Sequence, residues 1–126
     1  MTTEETKDKL LELTDITQLG RIEKTKEILK GVVVTLQSLS ATHQQKILES
    51  LPPQSTDALA KFTCMQIDTL VYSTVSINNK RYNDENRAEL RVFYSNLQNK
   101  VMQEFYNLYS ELITEQNSVI DSLKKT

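Results

Sequence analysis

Gly20, Gly31, Pro52 and Pro53 are the chain's only glycines and prolines, and none follows Pro53. So few breakers favour long regular elements, chiefly helices, over a loop-rich enzyme or a many-stranded sandwich. The same scarcity removes any glycine loop able to cradle a phosphate. Fifteen Lys+Arg stand against 17 Asp+Glu, a net charge of −2, so no general attraction to nucleic acid or anionic lipid is expected. Cys64 is the single cysteine and His43 the single histidine, too few for a disulfide or a structural zinc set. Neither a metal, a cofactor nor a small-molecule substrate is expected. No apolar run nears the roughly 20 residues that span a bilayer, and Met1-Thr-Thr-Glu-Glu-Thr-Lys7 lacks the apolar core of a signal peptide, which places the chain in a cytoplasm.

Residues 1–19 read as a frayed tail entering a short helical or extended segment with Leu10, Leu11, Leu13, Ile16 and Leu19. The remainder, 20–126, reads as one domain that is mainly α, an N-terminal β-hairpin followed by a bundle of about four helices. The hairpin spans 21–39 and turns at Lys30-Gly31, since glycine supplies the positive φ of a tight turn. With those two residues as the loop, Leu29 faces Val32, Ile28 faces Val33, Glu27 faces Val34, Lys26 faces Thr35, Thr25 faces Leu36, Lys24 faces Gln37 and Ile22 faces Leu39. Both faces come out mixed. A lone ribbon is marginal in water, so it should lie on the helices or extend a partner's sheet.

Ser40 or Thr42 caps a helix over 41–50, with Gln44 or Gln45 near the position that answers a capping box, and Leu51-Pro52-Pro53 stops it. Ser55 opens a longer helix over 54–76, with Asp57 at its positive end and a buried stripe of Ala60, Cys64, Ile67, Val71 and Val75. Asn78-Asn79 tolerate the left-handed conformation that ends it. Asn83 or Asp84 caps a helix over 84–97, and a last helix over 98–123 carries Val101, Phe105, Leu108, Leu112, Val119 and Leu123, flanked by Met102, Tyr109, Ile113 and Ile120. Ser95-Asn-Leu-Gln-Asn99 leaves open whether these two helices join.

His43, flanked by polar residues, has no neighbouring acid or thiol and reads as an exposed side chain rather than a general base. Cys64 reads as a small apolar residue. Glu111 and Glu115, four apart on a helix, suit a solvated face better than a metal. Five tyrosines, Tyr72, Tyr82, Tyr94, Tyr106 and Tyr109, crowd the second half, where an apolar ring with a polar tip serves an interface as well as a core. In Phe93-Tyr94 and Phe105-Tyr106 adjacent side chains diverge by about 100°, so one of each pair should face outward. Tyr94, Tyr106 and Tyr109, with Val33 and Thr35 on the hairpin, are the candidate partner contacts.

The order Ile16-Thr-Gln-Leu-Gly20-Arg-Ile-Glu-Lys24, Leu36-Gln-Ser-Leu39-Ser40, Ile67-Asp-Thr-Leu-Val71, Val75-Ser-Ile-Asn-Asn-Lys80 and Phe105-Tyr-Asn-Leu-Tyr109 with Gln116 resembles the small tail-assembly chaperones and baseplate-hub assembly proteins of tailed bacteriophages. The resemblance covers roughly two thirds of the chain. Those proteins place a compact hairpin before a helical body and close a helix with valine, serine or alanine, isoleucine, asparagine or aspartate, then glycine; here Asn79 stands at the glycine. The resemblance implies a non-enzymatic factor that holds tail or baseplate proteins during assembly, or a related component retained in the virion. It implies phage proteins or a second copy as partners, and the infected host's cytoplasm or the particle as location. A phage regulatory protein that binds a host protein is the alternative. Catalytic residues are expected in none of these readings.

Overall fold

The computed structural model describes residues 10–50 and 57–124. They form a mainly α chain with a four-stranded antiparallel sheet: α1 (Leu13–Ile16), β1 (Glu23–Leu29), β2 (Val32–Gln37), α2 (Ala41–Ser50), α3 (Ala58–Ser73), β3 (Thr74–Ile77), β4 (Lys80–Arg81), α4 (Arg87–Ser95) and α5 (Asn99–Leu123). Strand order in the sheet follows chain order. The helices do not make a separate bundle after the hairpin. Instead α5 packs on β1 and β2, α3 reaches β2, and both α2 and α4 pack on α3. Pro52, Pro53 and Ser55, invoked as the stop of one helix and the start of the next, lie outside the described residues.

The β1–β2 turn falls at Lys30-Gly31, with Gly31 at φ +82° and open space where a Cβ would stand. Leu29 pairs with Val32 as expected, but the rest of the register is one residue off the simple alternation. A bulge at Ile28 sets Glu27 opposite Val33, Lys26 opposite Val34, Thr25 opposite Thr35, Lys24 opposite Leu36 and Glu23 opposite Gln37. That single extra residue sorts the mixed faces. Val34 and Leu36 are fully buried, while Glu23, Thr25, Glu27 and Val33 face out. Lys24 and Lys26 share the inner face and reach over α5, where Lys24 Nζ lies 2.5 Å from Glu115 and Lys26 Nζ 3.0 Å from Glu111. Two residues along a strand advance about 6.7 Å and four along a helix about 6 Å, so the two spacings match and the elements run antiparallel.

The expected helix over 54–76 stops at Ser73, and Thr74–Ile77 becomes β3. β-Branched Thr74, Val75 and Ile77 favour a strand, and Asn78-Asn79, at φ 47° and 71°, form a two-residue turn into β4. The left-handed asparagines were anticipated; the hairpin they build was not. Asn78 also ties the two turns together: Val33 N–H donates to Oδ1 at 2.8 Å, Nδ2 donates to Gly31 O at 3.0 Å, and its own N–H donates to Val33 O at 2.8 Å.

Thr74 makes the helix-to-strand joint inside the core. Its hydroxyl donates to Leu70 O at 2.6 Å, so the 2.6 Å contact with Tyr94 must have the tyrosine hydroxyl as donor. Ser73 Oγ donates to Gln37 O at 2.8 Å, fixing the same joint to the end of β2. Around it, Leu70, Val71, Leu90, Met102, Phe105, Leu108 and Leu112 close the core with Val34, Leu36 and Ile77. Tyr94, Phe93 and Phe105 meet edge to face at centroid distances of 5.1 to 5.8 Å.

Helix ends follow the sequence with changes of detail. Asp57 caps α3 by accepting from Leu59 N–H at 3.0 Å and Ala60 N–H at 3.4 Å. The first two turns of α3 stand clear of the core, so of the stripe expected from Ala60 to Val75 only Val71 is buried, with Cys64, Ile67 and Val75 half-buried and Ala60 exposed. At α2 it is His43, not Gln44 or Gln45, that answers Ser40: His43 N–H donates to Ser40 Oγ at 3.2 Å and Ser40 N–H donates to His43 Nδ1 at 3.3 Å. Asn83 organises the turn before α4 by accepting from Glu85 and Asn86, and the helix starts at Arg87 rather than at 84. A break at Asn96-Leu97-Gln98 separates α4 from α5.

Candidate functional site

The five residues expected to meet a partner divide between interior and surface. Tyr94 is only 1 % exposed, and burial drives its hydroxyl pKa far up. Tyr109 is 7 % exposed and its pKa is likewise raised by burial, then by neighbouring Tyr106. Both serve the core, and of each aromatic pair the outward member is the other way round for Phe93-Tyr94. Tyr106 is half-buried, its ring 5.8 Å from that of Tyr109. Val33, 42 % exposed, and half-buried Thr35 lie on the outer sheet face. Their strand is not an edge, because β3 covers the side of β2 that a lone hairpin would leave open.

A cleft of about 600 Å³ lies between Thr17–Arg21, the β2–α2 junction and Gln116 of α5. Several of its polar groups are engaged within the chain. Arg21 bonds Gln18 at 3.3 Å and Gln37 at 3.2 Å, and Gln116 Nε2 donates to Gly20 O at 3.0 Å. His43 is occupied by the cap, stacks on Tyr72 at 5.5 Å, and has its pKa lowered by desolvation first, then by Arg87 and Lys46. No carboxylate lines this cleft among the described residues. A shallower hollow of about 390 Å³ gathers Lys46, Arg87 and Arg91. Arg87 caps the end of α3 by donating to Val71 O at 2.8 Å and Tyr72 O at 3.3 Å, and Arg91 pairs with Asp68, a carboxylate 3 % exposed that also accepts from Ser50 Oγ at 2.5 Å. Arg87 and Arg91 tie α4 to α3, and Ser50 ties α2 to the same Asp68 carboxylate. Among the described residues no group of three or more His, Cys, Asp or Glu is placed to hold a metal ion, and no helix is long and apolar enough to cross a membrane.

Two surfaces stand out among the described residues. One is the segment before the sheet, where Leu10, Leu11, Leu13, Ile16 and Leu19 are exposed by 46 % (Leu19) to 80 % (Leu13) around the single turn of α1. Its end is seated by Gly20, at φ +77°, so near Ile120 that a Cβ would come within 2.5 Å of that side chain. The other is the outer edge of β1, which has a strand neighbour on one side only. Apolar side chains exposed singly are ordinary, whereas four leucines and an isoleucine within ten residues make a concentration. The leucines were visible in the sequence, but a frayed tail is read from the same pattern.

No family model, curated protein or solved structure matches this chain.

Proposed function

We propose that this chain is a non-enzymatic assembly factor of a tailed bacteriophage, acting by protein–protein contact on tail or baseplate proteins. The observation that carries the binding part of this reading is the row Leu10, Leu11, Leu13, Ile16 and Leu19, held open beside a core closed by other residues. Fully covering one such side chain contributes at most about 1.5–3 kcal/mol, less where it is already half-buried, and a partner that covers several of them sets that gain against the cost of association. The phage part rests on the resemblance of the hairpin, the Val75-Ser-Ile-Asn-Asn79 segment and the Phe105-Tyr-Asn-Leu-Tyr109 segment. Affinity capture from infected cells, with mass spectrometry and an inventory of purified virions, tests both parts. A chaperone binds a tail or baseplate protein and is absent from virions; a structural component is present in fixed copy number; capture of a host protein alone overturns the assembly reading.

A further inference from the structure

The outer edge of β1 carries a charge pattern that opposes a second copy and fits a basic strand. Ser38 N–H donates to Ile22 O at 2.9 Å, which turns the Ile22 backbone toward β2. By alternation along the strand, the N–H and C=O groups of Glu23, Thr25 and Glu27 point away from the sheet. The 2.7 Å hydroxyl contact of Thr25 with Thr35 agrees with this, since side chains approach most closely at pairs that exchange no backbone bond. Three consecutive outward positions are thus open, with no proline among them.

Edge strands are commonly guarded by lysine, but here the two lysines lie on the inner face and are held by Glu111 and Glu115 of α5. What the outer face presents at the edge is Glu23, Thr25 and Glu27. Glu23 has no ion-pair partner among the described residues, and Glu27 accepts only its own turn's Gly31 N–H at 3.1 Å. Two copies paired antiparallel about Thr25 would set Glu23 against the second copy's Glu27, and Lys24 against its Lys26, each twice. A two-fold centred on Glu23, Lys24, Lys26 or Glu27 sets that residue against itself. Like charges directly opposite are unfavourable, so every self-pairing register centred on a charged residue of this edge is opposed, and the full-length one most of all.

From this pattern we infer that β1 takes an extended segment of another protein as a fifth, antiparallel strand, with cationic side chains four residues apart opposite Glu23 and Glu27 and a small or β-branched residue opposite Thr25. Backbone hydrogen bonds supply affinity and the two carboxylates supply selectivity. The inference rests on the protein-binding reading above and adds the partner's chemistry.

The probe is the peptide acetyl-Thr-Lys-Val-Thr-Val-Lys-Thr-amide, compared with the same peptide carrying Glu at both Lys positions. Titration by NMR should give saturable amide shifts confined to β1, slowed hydrogen exchange at Glu23, Thr25 and Glu27, and about tenfold tighter binding of the lysine peptide. Glu23→Lys, which leaves the turn contact of Glu27 intact, should move the preference to a peptide with Glu at its sixth position. Thr25→Pro removes an outward N–H without taking a bond from the β1–β2 ladder, so it should abolish peptide binding in a protein whose spectrum shows the sheet intact. Equal binding of the two peptides, shifts elsewhere, or no binding would overturn the inference. If no peptide binds while the exposed leucines still retain a tail protein, this inference alone falls; peptide binding with no tail partner captured overturns the assembly reading alone.

Discussion

Thr74 and Asn78 carry more of this fold than their size suggests. Because the Thr74 hydroxyl proton goes to Leu70 O, Tyr94→Phe deletes the donor to Thr74 Oγ and leaves no buried proton unmatched, so it should cost about 1 kcal/mol in denaturant unfolding. Tyr94→Ala empties a site closed on all sides and should cost about 3–5 kcal/mol. Asn78→Ala removes both side-chain bonds that join the two turns and the residue type that tolerates positive φ, for an expected loss of about 2 kcal/mol. Gly31→Val should be costly too, and by strain alone, since its Cβ meets nothing; a stability loss near zero would count against the turn. His43 acts in the opposite sense to a charged pair. Its pKa is lowered in the fold, by desolvation first and then by Arg87 and Lys46, so the unfolded chain binds its proton first; the stability gained by holding the ring neutral is present above about pH 6.5 and is lost as pH falls toward the lowered folded value. An NMR titration should place His43 below its ordinary value, and His43→Gln should flatten that part of the stability–pH profile without loss of biological activity.

At the scale of elements, α2, α3 and α4 are joined by Asp68, which lies buried between Ser50 and Arg91. Arg91→Met leaves that carboxylate with one hydroxyl donor and should cost about 1–3 kcal/mol, measured by thermal unfolding, whereas Lys26→Ala breaks an exposed pair and should cost under about 1 kcal/mol. The elements themselves differ in how far periodicity announces them. The last helix is legible because Met102, Phe105, Leu108, Tyr109 and Leu112 recur at three and four with nothing to interrupt them, and the Lys30-Gly31 turn because only glycine suits it. The register of the hairpin is not, because a bulge of one residue exchanges the faces, and it goes with the full burial of Val34 and Leu36 in a core that helices distant in sequence complete. The second hairpin was hidden for another reason. Leu70 to Ile77 is a continuous run compatible with either a helix or a strand, and only the pairing of Val34, Thr35 and Leu36 with β3 decides where one ends. The tyrosines at 94 and 109 show the same limit at a candidate site: an aromatic helix residue has no sequence mark that separates interior from interface.

For the whole molecule, a closed core coexists with apolar side chains over residues 10–19 that stay exposed among the described residues. Replacing Leu13 and Ile16 with serine should lower the unfolding free energy by no more than about 1 kcal/mol, since Leu13 is 80 % and Ile16 48 % exposed, while removing the contacts on which the proposed assembly role depends. Tyr106→Ala, on a half-buried ring against Tyr109, should by contrast cost stability before it costs binding. The direct test is therefore affinity capture from infected cells with the parent chain and with the Leu13→Ser, Ile16→Ser variant side by side, bound proteins being quantified by mass spectrometry. The account predicts a tail or baseplate protein retained by the parent and lost by an equally folded variant; equal retention by both, or no tail or baseplate protein with either, would contradict it.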